Sequence, residues 1–496
     1  MNPLGWKQCA PRLVMALAAM AILVAAVGCG SGSGSGIIQP LPGNSYTKAS
    51  LNGQYVIAQT GIGINQALTS ADPFSETIVF SADGNGNLSI PVDDFNQDAT
   101  QYTLTSTLTG TYSISSDGTG SLSFNNSNYE ITMIDDSHFY VIEQDTFATA
   151  SGFGEKQDTT AFTAAPSGNF VFKAHNLTTS SRVGGITISN GAISGTEDLL
   201  TLGLLSTSQT INSAVAMSAP NTTTGRGTFA LSDGTSFNYY VVNSSKFHFM
   251  SSAGSLEIGQ AEAQTGGPFS LATLAANTSY VFGSSGDTSI SGPAGIHSAG
   301  VFTTDGNGNI TAGAVDYVQD TTVNSNLAVS GGSYTLASNG RGQINLTLSG
   351  GTISPQIFWM VNGTRAYFLA NNTAAVEDGT FSLQQGAPFS ALSSQAAFVM
   401  DGFDTTYKDR VGAFQPTSSG FNWNQAANAF DPTTGIGLLS ALGTNGTATV
   451  SSNGRVAVVV NGVTSSLVFY LSSSGAGFMV QENADIGGAF SQQASQ

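Results

Sequence analysis

Two segments carry oxygen ligands at a spacing that could hold a metal ion: Asp83-Gly-Asn-Gly-Asn87 and Asp305-Gly-Asn-Gly-Asn309. Side-chain oxygens at alternate positions are what a calcium loop presents, and Asp94 and Asp316 fall at the twelfth position, where such a loop places its closing carboxylate. The candidate calcium ligands are therefore Asp83, Asn85, Asn87 and Asp94, and again Asp305, Asn307, Asn309 and Asp316. The same letters also read as a hairpin turn. Position six is Leu88 or Ile310 where a calcium loop needs Gly, position twelve offers Asp in place of a bidentate Glu, and the flanks alternate like strands. A second candidate is aromatic. Phe421, Trp423 and Phe430 lie close together in sequence and could face a ligand by stacking on sugar rings, or else fill a core.

Other chemistry finds less support. Nucleophilic hydrolysis needs a serine raised on a sharp turn beside a histidine base, and no Gly-x-Ser-x-Gly follows Cys29. Ser45 and Lys48 form an isolated Ser-x-x-Lys ahead of the first strand. His138, His175, His248 and His297 show no metal-ligand spacing, and no glycine loop ends in Lys-Ser or Lys-Thr to cradle phosphate. His138 aligns with Lys246 and Arg365 as a solvated cationic edge, and His248 aligns with Tyr140 and Tyr367 as packing. Carboxylate pairs for glycoside hydrolysis could be assembled from Asp93, Asp94, Asp135, Asp136, Glu143 and Asp145. Adjacent acids in an acidic chain also read as solvated loops.

The elements that must position these residues are repeated. A strand-like opening recurs at Tyr55-Val-Ile57, Phe170-Val-Phe172, Tyr280-Val-Phe282 and Phe398-Val-Met400. Each is followed by a glycine turn (Asp117-Gly-Thr-Gly120, Gly225-Arg-Gly227, Asn339-Gly-Arg-Gly342, Asn453-Gly-Arg455), then by an apolar strand and a closing glutamine near Gln157, Gln264, Gln384 and Gln492. Alternation with period two, bounded by Asp, Asn and Gly, predicts short antiparallel strands joined by hairpins. The expected fold is all-β: four tandem units of seven or eight strands, each a meander barrel or barrel-like sandwich, with a Greek-key sandwich as the alternative. The boundaries are read as 49–165, 166–266, 267–386 and 387–496, preceded by a 1–28 signal and a 29–48 Gly/Ser-rich tether.

The amino terminus supplies the address. Lys7 and Arg12 precede the apolar run Leu13 to Val27, then Gly28-Cys29 and a Gly/Ser tract. A basic n-region, a short apolar core and a small residue before the cleavage site describe a secretory signal. The segment Ala26-Val27-Gly28-Cys29 resembles the lipobox of bacterial lipoproteins, although the position three before the cysteine is Ala26 where that family most often has Leu. The resemblance implies cleavage before Cys29, lipid on its thiol, and anchoring to the outer membrane or cell surface, since Gly30 and not Asp follows. An ordinary signal cut near Ala25 or Ala26 is the alternative. The repeats past the leader resemble uncharacterised envelope repeat lipoproteins.

With Cys9 lost in the signal and Cys29 lipidated, no disulfide is expected, so each unit must be held by its own core. Of 13 basic residues, Lys7 and Arg12 precede Cys29, which leaves 11 against 31 acidic ones and a net charge of about -20. Such a polyanion is repelled by nucleic acid, so no nucleic-acid partner is expected. No cofactor is expected beyond the calcium weighed above. The function that follows is a lipid-anchored envelope protein displaying β domains for non-catalytic binding, adhesion or structure, with a glycan or surface protein as partner. The alternative is a secreted hydrolase with a loop-built carboxylate site in one unit.

Overall fold

A computed structural model of the chain describes residues 41–494 apart from 42–43, 66–69, 98–99, 177–178, 203, 253–254, 288–294, 321, 350, 371–374, 404–405, 419, 463–465 and 483. The leader, Cys29 and most of the proposed tether lie outside the described residues.

The four repeats are four closed antiparallel barrels. Barrel 1 runs from the strand Asn52–Ile64 to Ala148–Lys156, barrel 2 from Gly168–Asn176 to Glu257–Ala263, barrel 3 from Thr278–Asp287 to Val376–Leu383, and barrel 4 from Ala396–Phe403 to Asp485–Gln492. Strands follow one another as a meander and the first pairs with the last, for example Phe170↔Ala263 and Tyr280↔Leu383. The Greek-key alternative is thereby set aside. Closure pairs the first strand of each barrel with the last, which removes the edges most open to edge-to-edge association.

Period-two alternation places one face of each strand inside. In Arg341–Leu348 the buried residues are Gly342, Ile344, Leu346 and Leu348, and their neighbours face out. The aromatic openings converge on the barrel cores: Tyr55 stacks on Phe80 with centroids 5.5 Å apart, Phe170 meets Phe247 at 5.4 Å, and Tyr280 stacks on Phe302 at 5.6 Å. In barrel 4 Ala396 stands where Tyr280 does in barrel 3, and Phe398, two residues on, stacks on Trp423 at 4.2 Å.

Phe421, Trp423 and Phe430 therefore do not face a ligand. Phe421 and Trp423 belong to the core of barrel 4, and Phe430 is equally buried. All three lie on the strand Gly420–Asp431, whose alternate residues point inward.

Several strands are apolar on both faces because the barrels pack on one another. Val171, Val183 and Leu200 of barrel 2 lie against Trp359, Val361 and Tyr367 of barrel 3. Equivalent clusters join barrels 1 and 2 through Val56, Val79 and Tyr240, and barrels 3 and 4 through Val281, Val301 and Tyr470. A fourth joins barrel 4 back to barrel 1 through Val411, Ala397, Tyr140 and Ile142. The barrels thus form a closed ring.

The closing glutamines latch it. The Gln157 amide donates to Val241 O (2.6 Å), Gln264 to Met360 O (2.8 Å) and Asn339 O (3.0 Å), and Gln384 to Leu471 O (2.7 Å) and Asn453 O (2.9 Å). Gln493, one residue beyond the glutamine singled out in the sequence, completes the cycle by donating to Met133 O (2.7 Å) and Asp117 O (2.9 Å) of barrel 1.

Candidate functional site

Around the axis of the ring lies a cavity of about 390 Å3 to which all four barrels contribute. Barrel 2 supplies Lys173, His175, His248 and Gln260; barrel 3 supplies Ser284, His297, Ser298 and Asp378. Barrel 4 adds Asp401 and Phe478, and barrel 1 adds Gln59, Tyr140 and Phe153. Alternation explains their placement. In Gly168–Asn176, Phe170, Phe172 and Ala174 fill barrel 2, so Lys173 and His175 must point outward toward the axis.

The charged residues bond across barrel boundaries. His175 Nδ1 lies 3.1 Å from Asp378 Oδ1, and Lys173 Nζ 3.2 Å from Asp378 Oδ2. His248 Nε2 is 2.6 Å from Glu155 Oε2, beside Lys246 Nζ at 2.8 Å, and His297 Nδ1 is 2.8 Å from Asp485 Oδ1. Burial alone would raise the pKa of Asp378, but Lys173 and His175 outweigh it and hold the carboxyl well below its ordinary range. Glu155 behaves likewise, as Lys246 and His248 overcome desolvation and bring it down to about 2. Desolvation also opposes charge on His297, yet its hydrogen bond to Asp485 and the nearby Asp401 and Asp287 raise its pKa overall. Lys246 and Arg365, read from the sequence as a solvated edge, are instead half-buried seam cations, Arg365 lying 2.8 Å from Glu262.

The arrangement lacks the geometry of a catalytic triad. Ser181 Oγ (2.9 Å) and Asp378 Oδ1 (3.1 Å) both approach Nδ1 of His175, whereas a triad needs nucleophile and carboxylate on opposite ring nitrogens. Ser181 is buried and donates its own proton to Asp378 at 3.1 Å. Among the described residues no group of three or more His, Cys, Asp or Glu is placed to hold a metal ion. What the cavity does offer is hydroxyl and amide groups, the partly exposed rings of Phe153 and Phe478, and Asp401, which has no hydrogen-bond partner among the described residues.

The calcium candidates separate. Asp83 Oδ1 accepts the backbone N–H of Asn85 (2.7 Å) and Asn87 (3.0 Å), and Oδ2 accepts the Asn87 side-chain amide (2.7 Å). Those bonds, the Asn87 side chain first, lower its pKa to about 2. Asp305 repeats the pattern with Asn307 (2.7 Å) and Asn309 (2.9 Å). The turns thus direct amide N–H groups at the carboxylate, with Gly84 and Gly86 at φ 76° and 112° making the bend. Asp94 and Asp316 do not close these loops: each is buried in a seam against an arginine of the next barrel.

Those two acids belong to a repeated lock that sequence reading missed. Asp94 pairs with Arg226 (2.6 Å), Asp198 with Arg341 (2.7 Å) and Asp316 with Arg455 (2.6 Å). Each carboxylate also accepts from an aromatic donor directly opposite that arginine in the sheet: Tyr240 OH, Trp359 Nε1 (2.9 Å) and Tyr470 OH.

No protein-family model matches the chain, and no curated protein does. Among solved structures it is similar to a double mutant of transferrin binding protein B from Haemophilus parasuis, at 7% identity and a TM-score of 0.22, covering 66% of this chain and 75% of that one. Intact Ap-TbpB, with its N and C lobes, gives 8% identity and a TM-score of 0.19 over 72% of this chain and 81% of that one.

Proposed function

We propose that the protein is a lipid-anchored component of the bacterial envelope that binds a glycan in the axial cavity of its ring without transforming it. The observation that carries this reading is the use of His175, His248 and His297. All three are spent on carboxylates of neighbouring barrels, and the hydroxyl beside His175 Nδ1, Ser181 Oγ, is buried and shares that nitrogen with Asp378 instead of standing opposite it. Ring rigidity favours binding, because a preorganised cavity has little ordering entropy to lose. The lining of Ser284, Ser298, Gln59 and Gln260 suits sugar hydroxyls, and Phe153 and Phe478 offer the apolar faces that sugar rings stack on.

Asp401 is the acceptor with free capacity. Titration of the protein with an oligosaccharide array is expected to give saturable binders, and Asp401→Asn is expected to weaken them about tenfold, as for loss of a hydrogen bond to a charged group. Equal binding by the variant, or no binder at all, removes the glycan reading.

Anchoring rests on Lys7, Arg12, the apolar run and Gly28-Cys29. The first described residue fits a tether leaving from one place, since Leu41 N donates to Asp117 Oδ2 (3.0 Å) and Tyr46 OH donates to Ile134 O (2.8 Å) and Ala494 O (3.1 Å). The beginning and end of the ring thus sit side by side. Because acyl transfer needs the thiol, Cys29→Ser should abolish labelling with radioactive palmitate and move the protein from the membrane to the soluble fraction. Labelling that survives would refute the lipobox.

A further inference from the structure

The seam between barrel 4 and barrel 1 lacks the lock that the other three share. Where Arg226, Arg341 and Arg455 stand, barrel 1 has Thr119; opposite it in the sheet, where Tyr240, Trp359 and Tyr470 stand, it has Thr132. Asp94, Asp198 and Asp316 lie opposite Thr77, Val183 and Ala299, and the corresponding residue of barrel 4, opposite Val411, is Ala426. Guanidinium, aromatic donor and carboxylate are all missing together. In their place is a cavity of about 210 Å3, lined by Thr119, Thr132 and Ala426 themselves.

The vacated space is polar and carries one ionisable group. Glu130 stands two residues before Thr132 on the same face of its strand and lines the cavity. The corresponding residues of the other barrels are Asn238, Ile357 and Val468, none of them acidic. Glu130 has no hydrogen-bond or ion-pair partner among the described residues, and burial pushes its carboxyl up to about 7. Thr132 is fully buried and its Oγ1 also lacks a partner. A half-buried unpaired carboxyl and a fully buried orphaned hydroxyl at the wall of a hollow are costly to leave unsatisfied.

We propose that this seam binds a small free guanidinium compound, which takes the place that an arginine side chain occupies in the other three seams. Its charge pairs with Glu130 and its N–H groups reach Thr132 and the side chain of Gln425 on the opposite wall, beside Asn424, whose amide donates to Asp117 Oδ2 (3.0 Å). The net negative charge of the protein draws such a cation toward it.

The probe is methylguanidine, titrated calorimetrically into the full chain at pH 8, with urea as the neutral isostere. Saturable binding of methylguanidine and none of urea is expected, with affinity falling about tenfold or more in Glu130→Gln. The paired change Thr119→Arg with Ala426→Asp rebuilds the lock and should block the site while raising the melting midpoint. Absence of saturable binding, equal binding of urea, or unchanged affinity in Glu130→Gln each overturns the proposal. The last two readings remain decisive if the paired variant does not fold.

Discussion

Arg341→Met is expected to destabilise the ring by roughly 3 kcal/mol, because it removes the cation from a buried carboxylate without removing the carboxylate. Asp198 is fully buried, and Arg341 meets it with two nitrogens, at 2.9 Å and 2.7 Å. What remains after the change is the Trp359 indole N–H (2.9 Å) and the backbone N–H of Ser208 (3.0 Å), which cannot neutralise the charge. The guanidinium itself reaches solvent in part, so the loss falls at the lower end of what breaking a buried pair costs. Combining Arg341→Met with Asp198→Asn should recover most of it, since the Asn oxygen still accepts from Trp359 and no charge is stranded. Calorimetric melting of the wild type and both variants checks this. A single variant that melts like the wild type would mean the lock is ornamental.

The same lock shows how far the sequence could be read. Closed barrels were legible because one face of each strand alternates and the hairpin turns carry Asp, Asn and Gly, as in Ser121-Leu-Ser-Phe124 after its glycine turn. The ring was not, because residues such as Asp94 and Arg226 pair across 132 positions and leave no periodic trace. A signal existed nonetheless. The acid is present in units 1 to 3 and absent from unit 4, whereas the turn arginine is present in units 2 to 4 and absent from unit 1. Those gaps are the two halves of one seam, which requires unit 4 to meet unit 1. Read as separate features, the arginine belonged to a glycine turn and the acid either to a calcium loop or to the strand after a hairpin. The aromatics at 421–430 stayed open between core and ligand face for a related reason: a strand buried in a barrel carries large side chains at alternate positions, as a stacking platform would, and only closure decides for the core.

The stability of the ring is expected to fall as pH rises from 5 to 8, and Asp409→Asn is expected to remove much of that fall. Asp409 is buried at the seam of barrels 4 and 1, where Thr149 Oγ1 of barrel 1 donates to it. Desolvation, reinforced by the charge of Asp401, pushes its pKa up from 3.8 to about 8. A carboxyl that holds its proton in the folded state but releases it on unfolding favours unfolding as pH climbs from 3.8, and the penalty stops growing once pH passes about 8. At pH 7 the difference is roughly 4 kcal/mol, at about 1.4 kcal/mol per unit. His297 contributes in the same direction, since its raised pKa stabilises the fold at low pH and that contribution is lost as pH rises through the folded value. Asp378 and Glu155 act oppositely, because their lowered pKa values stabilise the fold at neutral pH and are lost on acidification. The wild type should therefore be most stable in mildly acidic solution. Replacing Asp409 by the uncharged Asn keeps an acceptor for Thr149 and removes only the titration, so the melting midpoint of the wild type should fall relative to that of the variant by several degrees between pH 5 and pH 8. Parallel curves across that range would show that Asp409 titrates in the fold as it does in the unfolded chain, and that the barrel 4 to barrel 1 seam is wet where the structure has it closed.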